Sequence, residues 1–264
     1  IKYKVFDMPG EYEAAKGLIE HIGEKGSKIR NHHEGLRMIL EKGNCVSAVG
    51  HRVVHGAEKF QRPVLINSTV IKDIRQCCAI APLHNPANLA GIMACKKLLP
   101  GVAQVAVFDT AFHHTLPAYA YIYGLPFEYY KRFGIRKYGF HGTSHEFVAH
   151  EASRILKRPL NKLKLITCHL GNGCSITAVN KGNSIDTSMG FTPLEGVVMG
   201  TRCGDIDPAL VTYIMRKNKL DIGRMEGILN KSSGLKGISG ISNDMRAIEK
   251  EALAGNNRAC LAME

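Results

Sequence analysis

The chain has 264 residues, of which 45% are hydrophobic and 22% charged, and its formal net charge is +12. This balance excludes a disordered or fibrous chain, and no apolar window reaches the roughly 18 residues that a membrane span needs. The basic residues are spread along the sequence without a Lys/Arg run, which argues against nucleic acid as a partner. Eight cysteines without a CxxC pair, and no signal peptide, predict a cytoplasmic protein with reduced thiols.

The first half of the chain reads as strands and helices in alternation. Apolar and polar residues alternate over residues 1–7 and around Lys16–Ile22, which predicts an antiparallel strand pair. The pattern then predicts a helix over His32–Lys42 stopped by Gly43 and Asn44, a strand at 45–50, a helix over Pro86–Leu99 and a buried strand at 104–109.

The second half continues in the same way. The pattern predicts a helix at 141–156 with its cap at Thr143 and Ser144, a strand at 163–170, and a hairpin that turns at Asn180–Asn183. Further helices are predicted for Pro208–Lys217, Asp221–Asn230 and Asp244–Leu253. Strands that alternate with helices indicate an α/β fold. The Pro-, Tyr- and Gly-rich stretch around 115–127 is the main candidate for a domain boundary.

Polar clusters follow several of the predicted strands, where open α/β sheets bind their ligands. They are GHRVVHG (50–56), FDTAFH (108–113), YGFHGTSH (138–145), HLGNGCS (169–175) and MGTRCGDIDP (199–208). The two glycines around Asn172 let the backbone approach an anion, as in a phosphate nest, although for this segment alone a simple tight turn is the favoured explanation. No Walker A loop occurs in the sequence.

Candidate ligand-binding side chains lie in these clusters. Arg52 and Arg202 have the fork geometry that phosphate and carboxylate oxygens accept, and Asp109 and His141 lie where a strand and a loop end. Each alone fits a solvated or structural role; their combination points to an anionic substrate. His51 with His55, and His141 with His145, have the spacing of a zinc pair, but no third ligand follows at a suitable distance.

Several longer stretches of the sequence match the motifs of a known protein family. They include VFDTAFHHTLP, RKYGFHGTSH, TCHLGNGCSITAV, DTSMGFTPLEGVVMGTRCGDIDP and KSSGLKGISGISNDMR. From end to end the sequence closely resembles the acetate kinase family of short-chain carboxylate kinases. That resemblance implies two ribonuclease-H-like domains of the acetate and sugar kinase/actin superfamily, over residues 1–114 and 115–264, with an active-site cleft between them.

The resemblance also implies a reaction and its residues. ATP and Mg²⁺ would be used to phosphorylate acetate reversibly, giving acetyl phosphate and ADP, in a homodimer. The implied catalytic residues are Arg52, which binds the carboxylate, Asp109, which organises the metal or acts as acid/base, and His141 and Arg202, which stabilise the transition state. The implied pocket for the acetate methyl is Val54, Leu83, Phe140 and Pro193. The implied nucleotide contacts are Lys2, His169, Leu170, Gly171, Asn172, Gly173, Asp244, Met245 and Arg246.

The sequence departs from the family pattern at its ends. Segments that the family carries before residue 1 and after residue 264 are absent, the region near Arg30 is short, and the expected Mg²⁺ ligands lie in the absent parts. We therefore expect these 264 residues to be inactive alone. Propionate is the rival substrate, since one methylene is worth only about 1–3 kcal/mol in an apolar pocket. A non-catalytic nucleotide-binding relative and a basic RNA-associated protein are the alternatives from other classes.

Overall fold

The computed structural model describes residues 1–20, 22–23, 29–40 and 46–264. The chain forms two compact units: unit 1 contains Ile1–Gly56 and Arg62–Phe108, and unit 2 contains Ala57–Gln61 and Asp109–Glu264. Each unit combines strands with helices, which confirms the predicted α/β class.

Unit 1 is built on two small sheets. Strands β1 (Lys2–Asp7) and β2 (Tyr12–Leu18) pair antiparallel. In the second sheet, β3 (Ala48–Val53) runs parallel to the central strand β5 (Ala103–Phe108), and β4 (Val64–Leu65) pairs antiparallel on the other side of β5. The helices are α1 (His32–Leu40), α2 (Ser68–Cys77) and α3 (Asn85–Leu98). Val53, Ile74, Ile92, Ala106 and Phe108 are almost completely buried and form the core of this unit.

The structure changes some predicted elements of unit 1. The second strand begins at Tyr12, earlier than predicted, because its register pairs Lys4 with Lys16 and Asp7 with Tyr12. Helix α2 was not predicted, although Asn67 caps it by accepting a hydrogen bond from the Val70 amide at 2.9 Å. The predicted end of the first helix, at Lys42 to Asn44, lies outside the described residues.

Unit 2 contains an antiparallel three-stranded sheet. Its strands, in order, are β6 (Lys164–Leu170), β7 (Cys174–Asn180) and β8 (Asn183–Thr187). The predicted hairpin turn is confirmed: Lys181 and Gly182 both have positive φ, as a two-residue type I′ turn requires. The helices are α4 (Ala118–Tyr121), α5 (Phe127–Phe133), α6 (Gly142–Leu156), α7 (Pro208–Asn218), α8 (Ile222–Lys231), α9 (Gly234–Ser239), α10 (Met245–Leu253) and α11 (Asn257–Met263).

The two faces of the unit 2 sheet differ in an unusual way. The inner face is covered by α6 and by a 3-10 turn at Ala111–Thr115, and it is rich in hydroxyl and imidazole groups. Its residues include Thr167, His169, Ser175, Thr177, Ser184 and Thr187. The outer face carries Ile166, Leu170, Ile176 and Ile185, all exposed. Antiparallel sheets usually place their apolar side chains inward and their polar side chains outward, so this sheet reverses the rule.

Two further observations concern the whole chain. In the described ranges, no helix is long and apolar enough to cross a membrane. The described cysteines, from Cys77 to Cys260, are free thiols, as their spacing predicted.

Candidate active site

In unit 1, the end of β3 is held to the start of α3 by two asparagines. The Val54 amide donates to Asn88 Oδ1 at 3.1 Å. The His55 amide donates to Asn85 Oδ1 at 3.1 Å, and Asn85 Nδ2 donates to the His55 carbonyl at 2.9 Å. These bonds fix the backbone immediately after Arg52, whose side chain is exposed near the end of β3.

The remaining predicted residues of unit 1 are accessible. Lys2 is exposed on β1, and Leu83, just before α3, keeps 64% of its surface exposed. His51 Nε2 lies 2.9 Å from Gln104 Oε1, and burial lowers the pKa of its imidazole.

In unit 2, helix α6 begins with a constrained backbone. His141 occupies the N-cap position with a left-handed φ of 59°, which is uncommon for a residue with a side chain. The Gly142 amide donates to the Asp109 carbonyl at 2.8 Å, and a Cβ on residue 142 would lie 2.3 Å from that oxygen. The predicted cap at Thr143 and Ser144 is therefore wrong, because the helix starts earlier.

Three polar side chains surround His141 on the inner face. Its ring stacks on the His169 ring with centroids 4.0 Å apart, and its Nδ1 lies 2.8 Å from Ser175 Oγ. Ser144, in the first turn of α6, places its Oγ 2.9 Å from His169 Nδ1. The hydroxyl expected to cap the helix thus orients a second imidazole.

Two more histidines, His113 and His145, lie behind His141 and His169 and are almost completely buried. Burial lowers the pKa of His113 to about 3 and that of His145 to about 4, because the charged imidazolium loses its hydration. His113 bonds Ser184 Oγ and the Phe140 carbonyl, at 2.9 and 3.0 Å. Both rings are therefore neutral near pH 7.

The glycine turn between β6 and β7 carries Asn172 at its tip. The Asn172 carbonyl accepts from the Gly200 amide at 3.0 Å, and its Oδ1 accepts from Asn243 Nδ2 at 2.8 Å. With Oδ1 engaged, the Nδ2 donor of Asn172 is left for a ligand. In contrast, Leu170 keeps 77% of its surface exposed on the outer face, so its side chain is separated from His169 by the alternation of the strand.

Arg202 provides the positive charge at this turn. Its Nη1 donates to the Pro193 carbonyl at 3.1 Å, and burial lowers the pKa of its guanidinium. Within the described residues, no carboxylate forms an ion pair with it. A Cβ on Gly173 would lie 3.0 Å from Arg202 Nη1 and 3.6 Å from His141 Nε2. A partly buried guanidinium without a carboxylate, beside a glycine backbone and an imidazole, is suited to an oxyanion.

The segment after Asn243 has a structural role. Asp244 caps α10 by accepting from the Arg246 amide at 3.0 Å, and its carboxylate pairs with the Arg246 guanidinium at 2.7 Å. That pairing lowers the pKa of Asp244. Met245 follows with an exposed side chain.

The profile of the acetokinase family matches residues 27–264. The chain belongs to the acetokinase family. It is 51% identical over 291 aligned positions to the acetate kinases of Halothermothrix orenii and Carboxydothermus hydrogenoformans, and these alignments cover all of this chain and 73% of each relative. Since the alignments have more positions than this chain has residues, the relatives contain internal residues that it lacks.

Two solved acetokinase structures have the same fold as this chain. The acetate kinase of Porphyromonas gingivalis superposes with a TM-score of 0.93 at 42% identity, covering 99% of this chain and 72% of that one. A propionate kinase from Francisella tularensis gives a TM-score of 0.92, with the same identity and coverage.

For this acetokinase, sequence reasoning missed the residues that hold the site together. Tyr123 and Lys137 both bond the Glu195 carboxylate, in the loop that carries Pro193. Helix α9 donates backbone hydrogen bonds to the carbonyls of Met199 and Gly200, just before Arg202. The sequence indicates this arrangement only in part. The KSSGLKG motif that forms α9 is visible, but the loop at Met199 and Gly200 that it contacts is distant in sequence.

The described residues do not form a metal site. No group of three His, Cys, Asp or Glu side chains among them is close enough to hold an ion. Asp109, which the resemblance links to the metal, is 2% exposed. Arg202, His141 and the glycine turn are groups of the kind that can bind an oxyanion, while the described carboxylates do not gather into a metal site.

Proposed function

We propose that the protein is a carboxylate kinase that transfers the γ-phosphoryl group of ATP to acetate, reversibly, giving acetyl phosphate and ADP. One observation carries the proposal: the partly buried Arg202 lies beside Gly173 and His141, and no carboxylate among the described residues pairs with it. The names of the relatives, acetate kinase in both sequence comparisons, support the same reaction.

The chemistry of the acceptor explains why cationic groups matter more than a base. Acetate has a pKa close to the roughly 4.3 of a Glu side chain, so it is already a nucleophilic anion at pH 7. The barrier is repulsion between this anion and an anionic phosphoryl group. Arg52 would bind the carboxylate, and Arg202 and His141 would stabilise the charge on the transferring oxygens. Asp109 would position groups without taking a proton.

Unit 2 would hold the nucleotide. Bound ATP supplies the phosphoryl group. The turn from His169 to Gly173 would contact its phosphates, with Asn172 Nδ2 as a side-chain donor, and Asp244 to Arg246 would border the adenosine. Because the Leu170 side chain lies on the outer face, only its backbone would take part. Lys2 would reach the nucleotide from residues 1–114.

The proposed architecture follows the family. Two ribonuclease-H-like domains, 1–114 and 115–264, would enclose a cleft, and Mg²⁺ would be needed. A homodimer and a cytoplasmic location remain predictions of the sequence.

Propionate is the second candidate acceptor, because the Francisella relative bears the name propionate kinase at the same sequence identity. Val54, Leu83, Phe140 and Pro193 would contact the alkyl group. We expect acetate and propionate to be used within about one or two orders of magnitude, since one methylene changes binding by about 1–3 kcal/mol.

The test has a binding arm and a catalytic arm. Titration calorimetry with a non-hydrolysable ATP analogue, which keeps the γ-phosphate, measures the phosphate site, and hydroxamate trapping of acyl phosphate measures turnover with acetate, propionate and butyrate over a range of Mg²⁺. We expect Arg202→Ala to weaken binding of the analogue and, where turnover is present, to lower it by about a thousandfold or more.

Arg224→Ala is the matched control, because Arg224 is exposed on α8 and pairs with Asp221. Binding of the ATP analogue that survives Arg202→Ala would refute the assignment of the phosphate site. Acyl phosphate production that survives both Arg202→Ala and Arg52→Ala would refute the mechanism.

A further inference from the structure

The inner face of the unit 2 sheet contains a continuous chain of hydrogen bonds that ends at His141. Thr167 Oγ1 lies 2.8 Å from His145 Nδ1, and His145 Nε2 lies 2.7 Å from Ser175 Oγ. Ser175 Oγ in turn lies 2.8 Å from His141 Nδ1. Ser175, His145 and Thr167 are almost completely buried, so water does not compete for these bonds.

One direction of the protons satisfies every contact of this hydrogen-bonded chain, including the long one at its far end. Thr167 Oγ1 is 3.5 Å from the Thr177 carbonyl, and since a carbonyl can only accept, the hydroxyl is the donor in that contact. Thr167 then accepts from His145 Nδ1–H. Because His145 is neutral, its Nε2 carries a lone pair, and the Ser175 hydroxyl donates to it.

This order of donors and acceptors determines the role of Ser175 at the end next to His141. With its only proton given to His145, Ser175 Oγ can act only as an acceptor toward His141 Nδ1. In this order His141 carries a proton on Nδ1. Its other nitrogen, Nε2, is 3.6 Å from the position of a Cβ on Gly173, next to the guanidinium of Arg202.

We propose that Ser175, oriented by His145, is a positioning residue that fixes the proton of His141 on Nδ1 and directs Nε2 toward the anion site. When Nε2 also binds a proton, Ser175 stabilises the imidazolium by accepting its Nδ1–H. The inference rests on the proposed function only for the identity of the anion as a phosphoryl group.

The charged and titratable groups around His141 make such an acceptor necessary. They are His169, stacked on the ring; His145, behind Ser175; His113, 5.8 Å from the His145 ring; Arg202, beside Gly173; and Asp109, whose carbonyl accepts from Gly142. The positive charge of Arg202 opposes a second positive charge on His141, while His113 and His145 are neutral. The Ser175 oxygen is a neutral acceptor within hydrogen-bond distance of its Nδ1.

The test is ¹⁵N NMR of the imidazole groups in the full chain, which needs no turnover. In the parent chain we expect His141 Nδ1 to have the shift of a protonated nitrogen at every pH, with only Nε2 titrating. In Ser175→Ala we expect mixed tautomers and a titration midpoint about one pH unit lower, because a hydrogen bond to the cation is lost. Ser175→Thr keeps the hydroxyl and should restore both signatures.

Ser184→Ala is the matched control, since it removes a buried hydroxyl of the same face that bonds His113 and not His141. A His141 with a lone pair on Nδ1 in the parent chain would overturn the proposal, whether or not Ser175→Ala folds. So would an unchanged titration in Ser175→Ala.

Turnover provides a separate comparison. If acyl phosphate forms, Ser175→Ala should lower kcat by about tenfold to a hundredfold with little change in the KM for acetate. If no acyl phosphate forms but His141 has the expected shifts, the proposed function fails while the positioning role stands.

Discussion

At the scale of single residues, the contact between Asn243 and Asn172 joins two distant motifs. Asn243 Nδ2 donates to Asn172 Oδ1 at 2.8 Å, and this bond decides which end of the Asn172 amide is available to a ligand. An oxygen facing a phosphate would repel it, whereas the nitrogen would donate to it.

We therefore expect Asn243→Asp to raise the KM for ATP by about tenfold, the equivalent of one lost hydrogen bond. The aspartate can only accept, so Asn172 must rotate its amide and turn Oδ1 toward the ligand. Steady-state kinetics or ADP calorimetry would measure the change. Asn218→Asp, on α7, makes the same substitution away from the site, and an equal effect there would contradict the explanation.

The residue scale also separates what sequence could predict from what it could not. Arg202 and His141 were predicted because their motifs are long and specific. Ser175, 34 positions from His141, was not, because only the folded sheet brings its hydroxyl to that ring. For the same reason, Ser144 was interpreted as a cap, while in the structure it orients His169.

At the scale of elements, α9 supports the loop that carries Arg202. Its first residue, Gly234, has a φ of 62°, and a Cβ there would lie 2.0 Å from the Met199 carbonyl and 2.7 Å from that of Arg202. Such an approach is open only to glycine.

We expect Gly234→Ala to lower the free energy of unfolding by more than about 1 kcal/mol and to displace the Arg202 loop. Gly227→Ala is the control: position 227 is inside α8 and has open space around a Cβ, so this change should stabilise the chain by about 0.5–1 kcal/mol. Urea unfolding measures both. Equal stabilities for the two variants would refute the close contact.

The buried histidines make the stability of unit 2 depend on pH. The pKa values of His113 and His145 are about 3 and about 4 in the folded state and return to about 6.5 on unfolding. Well above pH 6.5, both states are unprotonated at these groups. As the pH falls from 6.5 toward 4, the unfolded chain takes up protons that the folded chain does not, so stability decreases by up to about 1.4 kcal/mol per pH unit per histidine.

Urea midpoints between pH 7.5 and 4.5 would measure this slope. His113→Asn should reduce the slope of stability against pH by the contribution of one histidine. His150→Asn changes an exposed site on α6 and should leave the slope as in the parent chain. A slope that does not respond to His113→Asn would show that this imidazole can be protonated in the folded state.

Local signals explain most elements and also the missed ones. The predicted helices have apolar periodicity, and three of them, α7, α8 and α10, begin at an aspartate whose side chain accepts a backbone hydrogen bond. Helices α2 and α11 have the same kind of cap, at Asn67 and Asn256, so their starts were readable from the sequence. The orientation of the sheet was not, because the alternation of apolar and polar residues around Ile166 and Ile176 suggests that these two side chains are buried, whereas both are exposed.

At the scale of the molecule, the outer face of the unit 2 sheet is an exposed apolar surface. Ile166 is 75% exposed, and an apolar depression of about 550 Å³ beside it is lined in part by Ala178 and Ile185. Contiguous apolar surface of this kind binds hydrophobic probes and favours self-association.

We expect the chain to enhance the fluorescence of 8-anilinonaphthalene-1-sulfonate, and Ile166→Lys to reduce that enhancement and the light scattering of concentrated samples. Leu253→Lys is the control, since Leu253 is as exposed but lies on α10. Unchanged dye binding in Ile166→Lys would mean that the outer face is covered in solution.

The reversed sheet also affects how the chain responds to heat and denaturant. The heat capacity of unfolding and the urea m-value both increase with the apolar area that becomes exposed on unfolding. Ile166, Leu170 and their outer-face neighbours are already in contact with water in the folded state, and the groups that unfolding would newly expose on the inner face are largely hydroxyls and imidazoles. Polar exposure lowers the heat capacity. The sheet of unit 2 should therefore add less to the heat capacity of unfolding and to the denaturant slope than a sheet of the same size with an apolar inner face.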